Sequence, residues 1–170
     1  MLSHILVPLD GSTLAEMALE HAKRIIAPDG KITLVTVVQA PEFPVYDFYP
    51  SPSPSVKSYE TALHDAMPRA KEYLERVAHD LEQEMHIQVA IEVEAGDPAS
   101  VLVELALRLH VDAIVMSTHG RSGFSRWIFG SVTQKVLGVT PCPVFVVPGR
   151  RDDARKSRTQ ELKETNLVGK

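Results

Sequence analysis

A single cysteine, Cys142, is all that the 170-residue sequence contains, so an intrachain disulfide and a cysteine-based zinc site are both excluded. Long apolar runs are also missing, and none approaches the roughly 20 residues that a membrane-spanning helix requires. The N-terminal stretch MLSHILVPLDG lacks the basic segment, apolar stretch and small-residue cleavage site of a signal peptide. We therefore expect a cytoplasmic protein with no membrane segment.

An excess of positive charge is absent too. The chain carries 18 Lys and Arg against 22 Asp and Glu, a net charge of −4. Residues 1–148 hold 11 basic and 18 acidic side chains, whereas residues 149–170 hold seven basic and four acidic ones. Nonspecific nucleic-acid binding needs basic surface that displaces counterions from phosphates. We therefore do not expect nucleic acid as a partner, and the basic tail alone is a weak signal.

Three familiar glycine motifs are missing as well. No lysine follows Gly130, so the chain has no Walker-type phosphate loop. The first apolar segment is followed by PLDGST, which is not the G-x-G-x-x-G of a dinucleotide-binding fold. The stretch GRSGF has Phe124 where a nucleophile elbow needs glycine, and no acid stands beside His119 to complete a triad. These departures argue against serine-hydrolase chemistry.

What the sequence does contain is a regular alternation of branched apolar segments and helical patterns. We predict five strands, at residues 4–9, 31–38, 87–93, 111–116 and 143–148, each separated from the next by a helix. Thr13 and Glu16 have the spacing of a capping box, and the helix after them is predicted to end at residues 28–30. Pro68 predicts a kink or a start in the second helix. Apolar strands alternating with helices indicate a parallel sheet covered on both faces.

Two segments depart from this pattern. Residues 39–57 contain five prolines and four aromatic side chains and are predicted to form a long loop. The aromatic residues of this loop either close over a ligand or pack locally on the surface, and they are Phe43, Tyr46, Phe48 and Tyr49. Residues 149–170 are highly charged and predicted to be a disordered tail, which leaves residues 1–148 as one domain.

The fold predicts where a ligand would bind. In open parallel sheets, ligands bind beyond the carboxyl ends of the strands, here near residues 8–13, 37–40, 94–98 and 116–131. The last of these stretches holds Gly120, Gly123 and Gly130, followed by Ser131 at a predicted helix start. Glycines let backbone amides approach an anion, and a helix N-terminus adds further amides and partial positive charge. The alternative is that the glycines only form turns and that Ser131 only caps the helix.

Arg121, beside Gly120, is a candidate phosphate contact, although a solvated loop arginine is the plainer interpretation. The histidines have no spacing that would assemble a metal site, while a phosphate-bound Mg²⁺ needs few protein ligands.

Several separated motifs in residues 2–148 resemble the universal stress protein family. Its ATP-binding members carry G-x2-G-x9-G-[ST], and here Gly120, nine residues, Gly130 and Ser131 match the last three elements, while Ser117 replaces the first glycine. The stretches VPLDGS, AGDP and PCPVFVVP also resemble the family. We expect a doubly wound α/β fold with five parallel strands in the order 3-2-1-4-5 and helices on both faces.

The resemblance implies roles for individual residues. Asp10 and Val37 match the adenosine end of the family's nucleotide site, and Pro8 and Met116 match neighbours of that pocket. The residues that match the surroundings of the ribose and phosphates are Ser117, Gly120, Gly130, Ser131 and Val132. The resemblance also implies a homodimer formed through the last strand, Val144 to Val147, an apolar edge that would otherwise stay unpaired.

The leading prediction is a universal stress protein that binds ATP, either alone or with Mg²⁺. We expect it to act as a nucleotide-responsive stress or regulatory factor with an unknown protein partner. One alternative is a family member that does not retain nucleotide and works through its dimer surface. Another is a slow ATPase or nucleotidyl-transfer enzyme, for which only Asp10 and Asp97 are candidate carboxylates. No general base or activated nucleophile is evident, so we expect weak hydrolysis or none.

Overall fold

The computed structural model describes residues 1–39, 56–118 and 129–148, without the side chains of residues 56–60. Gly120, Arg121, the tail at 149–170 and most of the loop at 39–57 lie outside the described residues. The elements follow in strict alternation: β1 (Leu2–Pro8), α1 (Thr13–Ile25), β2 (Ile26–Val38), α2 (Val56–Met85), β3 (Gln88–Ala95), α3 (Pro98–Arg108), β4 (Ala113–Ser117), α4 (Ser131–Val139) and β5 (Val144–Val147).

The strands form one parallel sheet in the order β3-β2-β1-β4-β5, which confirms the predicted order. The chain moves from β1 outward through β2 to β3, then crosses back to β4 on the other side of β1. The switch point of the strand order therefore lies between β1 and β4. Because all strands are parallel, the residues that follow β1, β2, β3 and β4 meet at one edge of the sheet.

Alternating side chains divide the core into two clusters. Ile5 and Val7 of β1 pack with α1 and α2 on one face, while Leu6 packs with α3 and α4 on the other. These three side chains are completely buried, and burial of each is worth about 1.5–3 kcal/mol. The near-continuous apolar run of β1 thus reflects a strand covered on both faces, which fixes the sheet between two helical layers.

The first helix and second strand differ from their prediction. The N-cap of α1 is Ser12, whose side chain accepts from the Ala15 amide, and Thr13 is the first helical residue. The helix ends at Ile25, and β2 begins at once with Ile26 instead of at residue 31. An apolar Ile25-Ile26 pair continues a helical pattern and also suits a strand, so periodicity alone misplaced this boundary.

The second helix also differs from prediction. Pro68 lies inside α2, so the alternative that the helix starts there is wrong. A proline removes one intrahelical hydrogen bond, and the buried side chains of Leu74 and Leu81 pack α2 onto the sheet after it. The helix begins at Val56, so it includes the last two residues of the predicted loop at 39–57.

Candidate functional site

The end of β1 is tied to β2 by two hydrogen bonds. The Leu9 amide donates to the Val35 carbonyl at 2.8 Å, and the Leu9 carbonyl accepts from the Thr36 hydroxyl at 2.9 Å. Thr36 is only 8% exposed, so its hydroxyl satisfies a buried carbonyl at the strand end. These bonds therefore fix the backbone between Pro8, the last residue of β1, and Asp10, where the chain leaves the sheet.

The Asp10 carboxylate is held by Ser12. Its Oδ1 accepts from the Ser12 hydroxyl at 2.6 Å and from the Ser12 amide at 3.0 Å. The same Ser12 hydroxyl oxygen accepts from the Ala15 amide at 3.2 Å, which caps α1. Asp10 is therefore linked through one hydroxyl to the start of α1, where the helix dipole favours a negative charge.

Tyr73 of α2 forms a hydrogen bond with the first turn of α1, close to the end of β1 in sequence. The Tyr73 hydroxyl donates to Glu16 Oε1, in the first turn of α1, at 2.9 Å. Burial, the hydrogen bond to Glu16 and the nearby charges of Glu16 and Asp10 together raise the pKa of Tyr73 well above its usual range. The phenol therefore remains a neutral donor at physiological pH and joins α2 to the beginning of α1.

Three predicted aliphatic site residues lie in one hydrophobic cluster. Met116 is a buried member of the cluster beneath α3 and α4, and Val37 and Val132 pack against it half-buried. Pro8 of β1 pairs with Val35 of β2, so Val37 follows this pair by two residues on β2 and Asp10 follows it by two residues after β1. Leu6 of β1 pairs with Ile114 of β4, so Pro8 and Met116 each follow this pair by two residues. The structure therefore brings Pro8, Asp10, Val37 and Met116 to one edge.

Ser117 ends β4 in an extended conformation, paired with Val147 of β5. It is 9% exposed, and because side chains alternate along a strand it lies on the face opposite Met116. Its carbonyl accepts from the Thr133 hydroxyl at 3.2 Å, and the Thr118 carbonyl accepts from the same hydroxyl at 3.3 Å. Thr133 therefore fastens the first turn of α4 to the end of β4.

The N-terminus of α4 has no side-chain cap among the described residues, unlike those of α1 and α3. Its N-cap is Gly130, with φ −57° and ψ 157°, and Ser131 is the exposed first helical residue. The alternative that Ser131 caps this helix is therefore wrong. The Gly130 amide donates to the Thr118 carbonyl at 2.8 Å. The amides that lack an intrahelical acceptor at this terminus are therefore those of the first turn of α4.

The turn after β3 has mainly a structural role. Gly96 has a φ of 147°, which a side chain would disfavour, and its amide donates to the Val38 carbonyl at 3.2 Å. Asp97 caps α3 by accepting from the Ser100 amide at 3.0 Å, and it pairs with Lys135 of α4 at 3.2 Å. The hydrogen bonds from Ser100, followed by Lys135, lower the pKa of Asp97. This carboxylate therefore serves α3 and its contact with α4.

Sequence reasoning missed Ser12, Thr36 and Thr133. A serine directly before an apolar helical stripe is a cap signal, so Ser12 was recognisable. The Thr36 and Thr133 bonds span 27 and 16 residues, and no local pattern reveals them. In residues 1–39, 56–118 and 129–148, no group of three or more His, Cys, Asp or Glu has metal-binding geometry. Within the same described stretches, no helix is long and apolar enough to cross a membrane.

Comparisons with known proteins show the family and the fold of the chain. The model of the "Universal stress protein family" matches residues 1–148. The universal stress protein MJ0531 of Methanocaldococcus jannaschii is 31% identical over 144 residues, which cover 84% of this chain and 80% of the relative. The solved structure of protein MJ0577, from the same organism, has 27% identity and a TM-score of 0.72, covering 88% of this chain and 97% of its own.

Two more distant structures share the fold. One is a universal stress protein in complex with cAMP, with 22% identity and a TM-score of 0.53, covering 86% of this chain and 97% of its own. The other is a universal stress protein family protein of Arabidopsis thaliana with AMP bound, with 18% identity and a TM-score of 0.57, covering 89% of this chain and 94% of its own. At such identities the likeness shows the fold alone.

Proposed function

Because this chain belongs to the universal stress protein family, we propose that it is an ATP-binding member that acts as a nucleotide-responsive stress factor in the cytoplasm. The observation that carries the proposal is that two suitable features follow β1 and β4, the two strands between which the strand order reverses. One is the Asp10 carboxylate, held by Ser12 just after β1, with Val37 and Met116 near the ends of the neighbouring strands β2 and β4. The other is the α4 N-terminus, which has no capping side chain among the described residues.

The first feature suits an adenosine. Val37 and Val132 are half-buried aliphatic side chains packed against the buried Met116, and their exposed parts suit contact with a purine ring, while Asp10 would offer a carboxylate from the residues after β1. A carboxylate accepts hydrogen bonds only, so it favours the hydroxyl and amine donors of a nucleoside over its carbonyl groups. Pro8 would border this pocket from the end of β1.

The second feature suits the phosphates. An uncapped helix N-terminus presents amides and partial positive charge, and Ser131 adds an exposed hydroxyl. Gly120 and Arg121, outside the described residues, would complete this end from the loop before Gly130. Ser117 would border the ribose through its backbone. Known proteins of this fold hold AMP and cAMP, which are nucleotides of the same class.

We do not expect efficient catalysis at this site. Asp97 is engaged as the cap of α3 and with Lys135. Asp10 accepts from Ser12 at the end that we assign to the adenosine, away from the phosphates. Any Mg²⁺ would be held mainly by the phosphates themselves. The proposal is therefore a binding protein with at most weak ATP hydrolysis, built from a domain at 1–148 and a charged tail at 149–170.

The edge of the sheet at β5 favours a homodimer. β5 has no strand beyond it in the described sheet, and its Phe145 is 44% exposed. Leu137 and Val139 of α4, the helix before β5, are also exposed apolar side chains. Pairing β5 with a second copy would bury Phe145 and fill the open hydrogen-bonding edge. Light scattering of Phe145→Asp should give a monomer, while Leu107→Asp on exposed α3 surface should stay dimeric.

The nucleotide proposal is tested by two measurements on the purified protein. Denaturation followed by chromatography of the supernatant should release an adenine nucleotide. Titration calorimetry of the stripped protein with ATP and Mg²⁺ should give micromolar binding. If no nucleotide is released and millimolar ATP gives no heat, the protein does not retain nucleotide, and the dimer surface becomes the leading functional site.

A matched pair of glycine variants tests the location of the site. The backbone angles of Gly130 are accessible to any residue, so Gly130→Ala adds a methyl group beside the α4 N-terminus without backbone strain. It should weaken ATP binding by about tenfold or more, since one lost polar contact is worth that much. Gly138→Ala, on the same helix, meets nothing within 4 Å and should leave binding unchanged. Equal binding by both variants would place the phosphates elsewhere.

A further inference from the structure

We infer that Ser12 and Thr36 are positioning residues for Asp10. The Ser12 hydroxyl orients the carboxylate, and the Thr36 hydroxyl fixes the backbone that carries it. The nucleotide then meets a carboxylate that is already in its binding geometry. This inference rests on the proposed ATP site and adds to it two residues outside the glycine motif.

The orientation of the side chain follows from the direction of the hydrogen bonds. An ionised carboxylate only accepts, so the Ser12 hydroxyl must donate its proton to Asp10 Oδ1, at 2.6 Å. The hydroxyl oxygen in turn accepts from the Ala15 amide at 3.2 Å. With the Ser12 amide also donating to Oδ1 at 3.0 Å, one carboxylate oxygen is held at two points. Free rotation of the Asp10 side chain is thereby removed before any ligand binds.

The backbone is fixed from the neighbouring strand. Both polar backbone groups of Leu9, the residue before Asp10, bond to β2, the amide to Val35 and the carbonyl to the Thr36 hydroxyl. Leu9 is itself buried in the core, so this peptide unit has little freedom to shift. Without the Thr36 hydroxyl, the Leu9 carbonyl would lose its bond at the point where the chain leaves the sheet.

Preorganisation matters for affinity because a binding group that is already ordered loses less conformational entropy when the ligand arrives. A carboxylate displaced by about 1 Å also makes a longer and weaker hydrogen bond to the ligand. Loss of the Ser12 hydroxyl should therefore weaken ATP binding through Asp10 alone. This dependence separates a positioning residue from one that only supports the fold.

A double-mutant cycle measured by ATP calorimetry on the full chain tests this dependence. Ser12→Gly removes the hydroxyl, and glycine is itself a tolerated N-cap, so helix α1 should persist. We expect Ser12→Gly to weaken ATP binding by about tenfold, since bonds to a charged group are among the stronger ones. Asp10→Ala should weaken binding at least as much, and Ser12→Gly should have no further effect in the Asp10→Ala protein. Additive losses, or unchanged binding by Ser12→Gly, would overturn the inference.

Threonine variants on one strand provide the second test. Thr36→Val removes the hydroxyl next to the site and should weaken ATP binding. Thr33→Val removes another buried hydroxyl of β2, three residues earlier on the strand and bonded to His4 Nε2 at 2.8 Å, and should not. Ser12→Thr, which keeps a hydroxyl, should restore binding. Equal losses in both valine variants would mean that Thr36 acts only through stability.

The experiments distinguish failure of the ATP-binding proposal from failure of the inference about Ser12 and Thr36. If the unmodified protein binds no ATP, both the proposed function and this inference are wrong. If it binds ATP and Asp10→Ala does not weaken binding, the nucleotide site stands but Asp10 and its positioning residues are not part of it. Thermal unfolding of every variant, followed by circular dichroism, identifies any that fails to fold, and the conservative Ser12→Thr and Thr36→Ser variants then decide the outcome.

Discussion

Replacing Thr133 by valine should loosen α4 from the sheet edge and reduce the stability of the fold. The Thr133 side chain is 2% exposed, and its hydroxyl donates toward two carbonyls, those of Ser117 and Thr118. Valine has nearly the same shape, so the change removes hydrogen bonding without opening a cavity. A buried acceptor that loses its donor costs about 1–3 kcal/mol, and the added methyl group offsets part of this. We expect a net loss of about 1.5 kcal/mol in the free energy of unfolding.

Urea unfolding followed by circular dichroism measures this loss. With a typical slope of about 2 kcal/mol per molar urea, the midpoint should fall by about 0.75 M. Thr133→Ser is the matched variant, because it keeps the hydroxyl and removes only the buried methyl group. If Thr133→Val is as stable as the unmodified protein while Thr133→Ser is not, the side chain acts by packing, and the hydrogen-bonded attachment of α4 is refuted.

The remaining predictions concern pH, a crowded glycine in β2 and the substituted motif position. Burial lowers the pKa of His4, so the unfolded state binds more protons near pH 6 than the folded state does. The free energy of unfolding should therefore fall as the pH drops through and below 6.5. The His4→Gln variant should show a smaller difference between urea unfolding at pH 7.5 and at pH 5.5. A Cβ at Gly30 would lie 2.7 Å from a neighbouring side chain, so Gly30→Ala should lower the free energy of unfolding by about 1–3 kcal/mol, whereas Gly138→Ala should not lower it. Ser117→Gly should cost about 0.5–1 kcal/mol in stability because glycine weakens a strand, and calorimetry should find ATP affinity unchanged.

The sequence predicted the architecture well because the strands are covered on both faces. Such strands are nearly continuous apolar runs, as in β1 and β4, and they stand out from the helical patterns between them. Element boundaries were less predictable, since Ile25 and Ile26 suit a helix and a strand equally. Pro68 is tolerated inside α2, so its position did not mark a helix start.

The sequence predicted which candidate residues share one edge of the sheet, but not the hydrogen bonds that hold them there. Parallel topology dictates that the residues after β1 and β4 lie at one edge, and Asp10 and Met116 do so. The hydroxyls of Thr36 and Thr133 act across 27 and 16 residues, respectively, on backbone carbonyls. Any threonine in a strand or helix has the same local pattern, so a packed structure is needed to tell these two from the rest.

The two ends of the proposed site use different chemistry, and this difference bears on the serine at position 117. The adenosine end depends on side chains, since Asp10 must be held by Ser12 in one orientation. The phosphate end depends mainly on backbone amides at the start of α4, which any side chain leaves in place unless it fills the adjacent space. The Ser117 side chain lies on the opposite face of β4 from Met116, within an ordinary extended strand that requires no glycine. Serine therefore fits at position 117 without strain, whereas a side chain at Gly130 would stand beside the amides themselves.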